Sequence, residues 1–203
     1  MEIKTVAGPA LAEVETPEHP ALLLALTHGA GGGVATKDIL AAKKAGLNAG
    51  AAVALVTQPY RVRGASAPGS PDRQDAAWLE IIAVLREQHP GLPLVQGGRS
   101  NGARVACRTA RGANAAAVIA LAFPLHPPGK ADDPARSRAG ELRSTGVPVL
   151  VINGERDPFG IPDASDAAKL VVLAGQAHAL SGQADVITAE VGAWLDQVSR
   201  GRD

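Results

Sequence analysis

Six short apolar runs recur down the chain: ALLLALT (21–27), AAVALVT (51–57), LPLVQGG (92–98), AAVIALAF (116–123), VPVLVING (147–154) and KLVVLAG (169–175). Most are continuous rather than alternating. A strand with one wet face alternates apolar and polar residues. A continuous run fits a strand buried on both faces, as in a parallel sheet covered by helices. Helix-like segments lie between the runs. The clearest is 70–90, SPDRQDAAWLEIIAVLREQHP. Ser70 stands at its N-cap, Pro71 at the first helical position and Asp72 in the first turn. Trp78, Ile82 and Leu85 share a face with Ile81 beside them, and Pro90-Gly91 stops the helix. A last helix over about 183–198 puts Ile187, Val191, Trp194, Leu195 and Val198 on one stripe.

Strand and helix alternate from residue 21 to the end. The expected fold class is therefore α/β, a doubly wound, mostly parallel sheet with right-handed crossovers. Residues 2–16 leave room for one or two edge strands. The 203 residues suit a single domain over 1–203 whose core needs no disulfides. With Cys107 as the one cysteine, a disulfide framework is excluded; Cys107 itself reads as buried and inert. A formal net charge of zero gives no sign of nucleic acid or an anionic membrane as partner. The first twenty residues carry acids and no apolar h-region, and ALLLAL (21–26) is too short to span a bilayer. A soluble, cytoplasmic protein is expected. RVRGASAPGS (61–70) and PLHPPGKADDPARSRAG (124–140) read as loops that follow strands. Both should hang over the carboxyl edge of the sheet, where open α/β sheets bind ligands. No insertion is large enough for a lid domain.

Gly98-Arg99-Ser100-Asn101-Gly102 matches G-x-S-x-G. A strand precedes it, and NGARVACRTARG is predicted to follow as a short helix ending at Gly112. In that setting a serine sits at the tip of a sharp turn, and the flanking glycines keep side chains out of the crowded backbone. LTHGAGGG (26–33) directly follows an earlier strand. Acyl transfer needs two backbone N–H donors aimed at a developing oxyanion. Asn101 would supply one; Ala30, with Gly31 next, would supply the other. His28 reads as holding this loop. The same glycines fail as phosphate loops, because Lys37 follows Thr36 and no G-x-G-x-x-G can be placed.

A serine hydroxyl needs a base, and the base needs an acid to orient it. Of five histidines, only His178, in AGQAHALSG, follows the last apolar strand. Asp157 stands just past the strand at 147–154, before Pro158 and Gly160. Glu155 is its rival; Asp163 and Asp166 read as capping or starting a short helix. The chain order is then Ser, Asp, His.

These motifs together resemble the α/β-hydrolase superfamily over nearly the whole chain, and most closely its small, lidless, dienelactone-hydrolase-like members. THGAGGG, GGRSNGARVA, FPLHPPGK, GERDPFG and GQAHAL are further similar to a family that includes a testis-expressed protein and a chromatin acetyltransferase complex subunit. The resemblance implies nucleophile, acid and base at Ser100, Asp157 and His178. Two departures stand out: Asn101-Gly102-Ala103 replaces Met-Gly-Gly after the serine, and Ala177 and Ala179 flank His178 in place of polar neighbours.

Arg104, Arg108 and Arg111 fall on one stripe of the helix after the serine and read as a solvated face. Arg99 pairs with a nearby carboxylate or attracts an acidic substrate. His126, beside Pro127-Pro128, lines the pocket or stiffens a connector. The function expected is a serine hydrolase cleaving a small-molecule acyl substrate, with no cofactor and no metal. The alternative is a non-enzymatic binding or scaffold protein that keeps the hydrolase fold.

Overall fold

In the computed structural model, which describes residues 1–130 and 133–200, the apolar runs form strands of one eight-stranded sheet. The strands are β1 (Glu2–Ile3), β2 (Ala10–Glu15), β3 (Leu22–Thr27), β4 (Ala51–Thr57), β5 (Leu94–Arg99), β6 (Ala117–Leu121), β7 (Val149–Gly154) and β8 (Lys169–Leu173). Their order across the sheet is β1-β2-β4-β3-β5-β6-β7-β8. The six strands β3 to β8 run parallel; β1 and β2 form the antiparallel edge. The helices are α1 (Lys37–Asn48), α2 (Pro59–Val62), α3 (Pro71–Gln88), α4 (Asn101–Thr109), α5 (Ala139–Arg143) and α6 (Ala184–Arg200). Among the described residues, no helix is long and apolar enough to cross a membrane.

Strands β3 to β7 are buried on both faces while β8, at the edge, is only partly buried, and the two-residue period of a strand divides the side chains between two cores. Leu23 and Ala25 of β3 join Trp78, Ile81, Ile82 and Leu85 of α3 and Val105 of α4. Leu22, Leu24 and Leu26 join Ile39 and Ala42 of α1 and Ile187, Val191, Trp194 and Leu195 of α6. The stripe expected on the last helix is thus its docking face. Small residues set how near a helix can come. A Cβ on Gly46 of α1 would stand 2.6 Å from Leu24 Cδ2 and 2.9 Å from Val53 Cγ2. One polar side chain sits inside the first core. Gln96 of β5 accepts the Trp78 indole N–H at 3.0 Å and donates to the Ala106 carbonyl at 2.7 Å. Its amide is therefore satisfied where an unpaired one would be costly.

Three local expectations need correction. Ser70 occupies the N-cap of α3, but its hydroxyl caps nothing. Instead Gln74 Nε2, one turn on, donates to the carbonyls of Gly69 and Ser70 at 3.2 and 3.3 Å. The helix after the serine ends at Thr109, short of Gly112. Thr109 Oγ1 bonds back to the Val105 carbonyl at 2.7 Å, and the left-handed residue of the exit turn is Asn114, with φ 49°. Of the predicted arginine stripe, Arg104 and Arg108 are paired rather than solvated, while Arg111 lies past the end of α4 and is exposed. Arg104 meets Glu141 of α5 at 2.9 Å, and Arg108 meets Asp75 of α3 at 2.8 Å. Of the predicted 124–140 loop, Ala131 and Asp132 lie outside the described residues, and its end from Ala139 begins α5.

Candidate active site

Parallel strands end at one edge, so the segments after β3, β4, β5, β7 and β8 gather there. Ser100 joins β5 to α4 with φ 52° and ψ −113°, a conformation that L-residues rarely adopt. The turn holds it there. The Ser100 N–H donates to the Leu121 carbonyl at 2.9 Å, and the Ser100 carbonyl accepts from Arg104 N–H at 3.2 Å. The glycines of G-x-S-x-G have a steric reason. A Cβ on Gly98 would stand 2.6 Å from the Thr27 carbonyl oxygen, and one on Gly102 would stand 2.7 Å from that of His28.

Ser100 Oγ lies 3.0 Å from His178 Nε2, and His178 Nδ1 lies 2.8 Å from Asp157 Oδ2. Asp157 is fully buried at its carboxylate, and His178 keeps 18% of its side chain exposed. The other oxygen, Asp157 Oδ1, accepts the Phe159 N–H at 3.0 Å. The Phe159 ring packs edge-on against the imidazole, centroids 4.5 Å apart. Glu155 turns elsewhere and accepts the Gly175 N–H. Asp163 and Asp166 close a reciprocal cap on a short 3₁₀ turn.

The loop after β3 is fixed through His28, which is fully buried. Its Nε2 accepts the Gln58 N–H at 2.9 Å, so the ring proton belongs on Nδ1, which lies 2.8 Å from the Gly29 carbonyl. Burial holds this imidazole below its usual pKa; the bond to Gly29 opposes the shift and the Arg61 charge adds to it. The Gly29 carbonyl also accepts from the Tyr60 hydroxyl at 3.2 Å and from Gly32 N–H at 3.3 Å. Burial pushes that hydroxyl up to about 12, against the opposing Arg61 charge. In a trans peptide the N–H opposes the C=O, so three donors on the Gly29 carbonyl set the direction of the Ala30 N–H. The Ala30 carbonyl is held by Tyr60 as well, at 3.2 Å, which sets Gly31 N–H in the same way. Among the described residues, the N–H groups of Ala30, Gly31 and Asn101 have no acceptor.

Arg99 and His126 sit in unlike surroundings. Arg99 Nε lies 2.9 Å from Asp38 Oδ2, and its Nη2 donates to the His178 carbonyl at 3.0 Å. His126 is buried against the turn that follows Asp157. Its N–H donates to the Phe159 carbonyl at 2.8 Å, and a Cβ on Gly160 would stand 3.0 Å from its Nδ1. Sequence reasoning missed Tyr60, Gln58, Gln74 and Asp38. Gln58 and Tyr60 had one available signal, a polar stretch directly after a fully apolar strand.

Residues 19–184 match the family model described as an alpha/beta hydrolase domain. No curated protein sequence matches the chain. Among solved structures, Est1E from Butyrivibrio proteoclasticus with ferulic acid bound superposes with a TM-score of 0.80 at 15% identity, covering 97% of this chain and 98% of that one. A Xanthomonas campestris protein described as an a/b serine hydrolase without lid has a TM-score of 0.73 at 21% identity, covering 100% and 93%. An esterase from Pyrobaculum calidifontis has 0.68 at 17% identity, covering 100% and 84%. At these identities the likeness is one of fold.

Proposed function

The chain belongs to the alpha/beta hydrolase domain family, and from that premise we propose that it is a serine hydrolase cleaving a small acyl ester. The observation that carries the reading is the unbroken run from Ser100 Oγ through His178 to Asp157, at 3.0 and 2.8 Å. The narrower likeness to dienelactone hydrolases and to the testis-expressed and chromatin-complex family rests on the sequence motifs alone.

In this reading Ser100 Oγ bonds to the ester carbonyl carbon as its proton passes to His178 Nε2. The carbonyl electron pair moves onto oxygen, where the N–H groups of Asn101 and Ala30, with Gly31 adjacent, receive the charge. Collapse of that intermediate breaks the bond to the alcohol, which leaves with the proton from Nε2. Water then attacks the acyl-enzyme and gives its proton to Nε2. The second collapse releases the acid and returns the proton to Ser100. Asp157 stays ionised, holding Nδ1–H and stabilising the imidazolium that forms in each half. The scheme uses no cofactor.

Fluorophosphonate labelling of the wild type, Ser100→Ala and His178→Ala, with the adduct mapped by mass spectrometry, tests it. The reading requires an adduct on Ser100 that vanishes in both variants. A folded wild type that takes no label would overturn it in favour of a binding or scaffold protein on the hydrolase fold.

A further inference from the structure

A cavity of about 270 Å³ lies between the segment after β4 and helix α3, one side chain removed from the candidate centre. Its apolar wall is Ala77, Trp78 and Ile81, and its polar wall includes Tyr60 and Gln74. Those two polar side chains bond to Asn101 and to the loop after β3. Gln74 Oε1 accepts from Asn101 Nδ2 at 2.8 Å, and the Tyr60 hydroxyl donates to the carbonyls of Gly29 and Ala30. The cavity is therefore walled by the residues that brace both segments proposed to hold the oxyanion.

Two arginines, Arg63 and Arg73, complete the lining, and no Asp or Glu belongs to it. Both are exposed. Their hydrogen bonds run to main-chain carbonyls, Arg63 to Ala7 and Arg73 to Val6. Among the described residues neither takes part in an ion pair, whereas Arg99, Arg104, Arg108 and Arg143 all do. Two cations outside any ion pair, at a cavity with one apolar wall, suit an anionic group on a short apolar chain.

Position decides which half of an ester enters. His178 must hand its proton to the leaving oxygen, so the alcohol lies on the side of β7 and β8. The cavity lies across β5 from there, by β4 and α3. We propose that it is the acyl-group subsite and takes a short acyl chain ending in a carboxylate, held by Arg63 and Arg73. The acyl assignment rests on the serine hydrolase reading; carboxylate binding does not.

The test compares 4-nitrophenyl hydrogen adipate with 4-nitrophenyl heptanoate, its uncharged analogue, and measures adipate binding by calorimetry. Wild type, Arg63→Gln, Arg73→Gln and the double variant are used, with Arg136→Gln, an exposed arginine elsewhere, as control. The ratio of kcat/KM for the two esters should favour the adipate by about 10-fold, as expected for a charge-assisted contact. That ratio should fall towards one in the double variant and at high salt, and hold in the control. Equal use of both esters with no adipate binding overturns the subsite and leaves the hydrolase reading standing. Adipate binding that needs both arginines, with neither ester cleaved, removes the acyl role and the hydrolase reading but keeps the carboxylate site. Neither cleavage nor binding overturns both.

Discussion

Arg99 donates to the main-chain carbonyl of His178 at 3.0 Å, so the residue before Ser100 ties down the loop that carries the imidazole. The same guanidinium lies 2.9 Å from Asp38, whose carboxylate is fully buried at the start of α1. One side chain thus joins the start of α1, the serine turn and the loop after β8. Removing it leaves a buried charge without its counterion, which costs on the order of 3–5 kcal/mol. Arg99→Gln should lower the urea midpoint accordingly, and adding Asp38→Asn should recover much of the loss. Ester turnover should separate the two roles. A kcat lowered about 10-fold in Arg99→Gln should stay low in the double variant, because the tie to His178 is still missing.

Asp157→Asn tests the orientation of the imidazole rather than its presence. An amide N–H facing His178 Nδ1 would drive the ring proton to Nε2, where it can no longer receive the Ser100 proton. Because Asp157 also accepts the Phe159 N–H, the turn can persist through the amide oxygen. We expect a folded protein whose kcat falls by about 10³–10⁴-fold. Fluorophosphonate labelling slowed to a similar degree checks the same point without a substrate.

How much of this was legible in the sequence depended on whether a feature is local. AAVALVT (51–57) is a strand over those same residues, because burial on both faces leaves a continuous apolar run. Ser100, Asp157 and His178 could be named because a parallel sheet maps the residue after each strand to one edge. Asp38 could not be named as the partner of Arg99, nor Glu141 and Asp75 as partners of Arg104 and Arg108. A charge carries no record of which distant element will face it. Gly112 misled for a local reason. It is a good helix terminator, but the helix already stops at Thr109, where the next N–H, of Ala110, turns to the Cys107 carbonyl at 3.4 Å.

Gly154, at the end of β7, lets the histidine loop cross close above it. A Cβ there would press on the Gln176 carbonyl oxygen and stand 2.7 Å from that of Ala177. Both obstacles are backbone, and Gln176 is fixed further by Arg156 N–H at 2.9 Å. Gly154→Ala should cost about 1–3 kcal/mol as overpacking and should lower kcat by shifting His178. Gly33→Ala, where a Cβ meets nothing within 4 Å, is the matched control. Paired denaturation and rate measurements on the two variants make the comparison.

Acid should weaken the fold through His28. Its pKa is lowered from 6.5 in the folded protein, chiefly by burial. Below that value the unfolded chain binds a proton that the folded chain resists, so stability falls as pH drops through 6.5 and is fully present above it. The slope from one such group is at most about 1.4 kcal/mol per pH unit. Protonation also sets an N–H on Nε2 against the Gln58 N–H that it normally accepts. The loop bearing Ala30 should loosen with it. Urea midpoints at pH 7.5, 6.5 and 5.5 should therefore fall more steeply in the wild type than in His28→Gln. The variant starts less stable at pH 7.5 but lacks this titration.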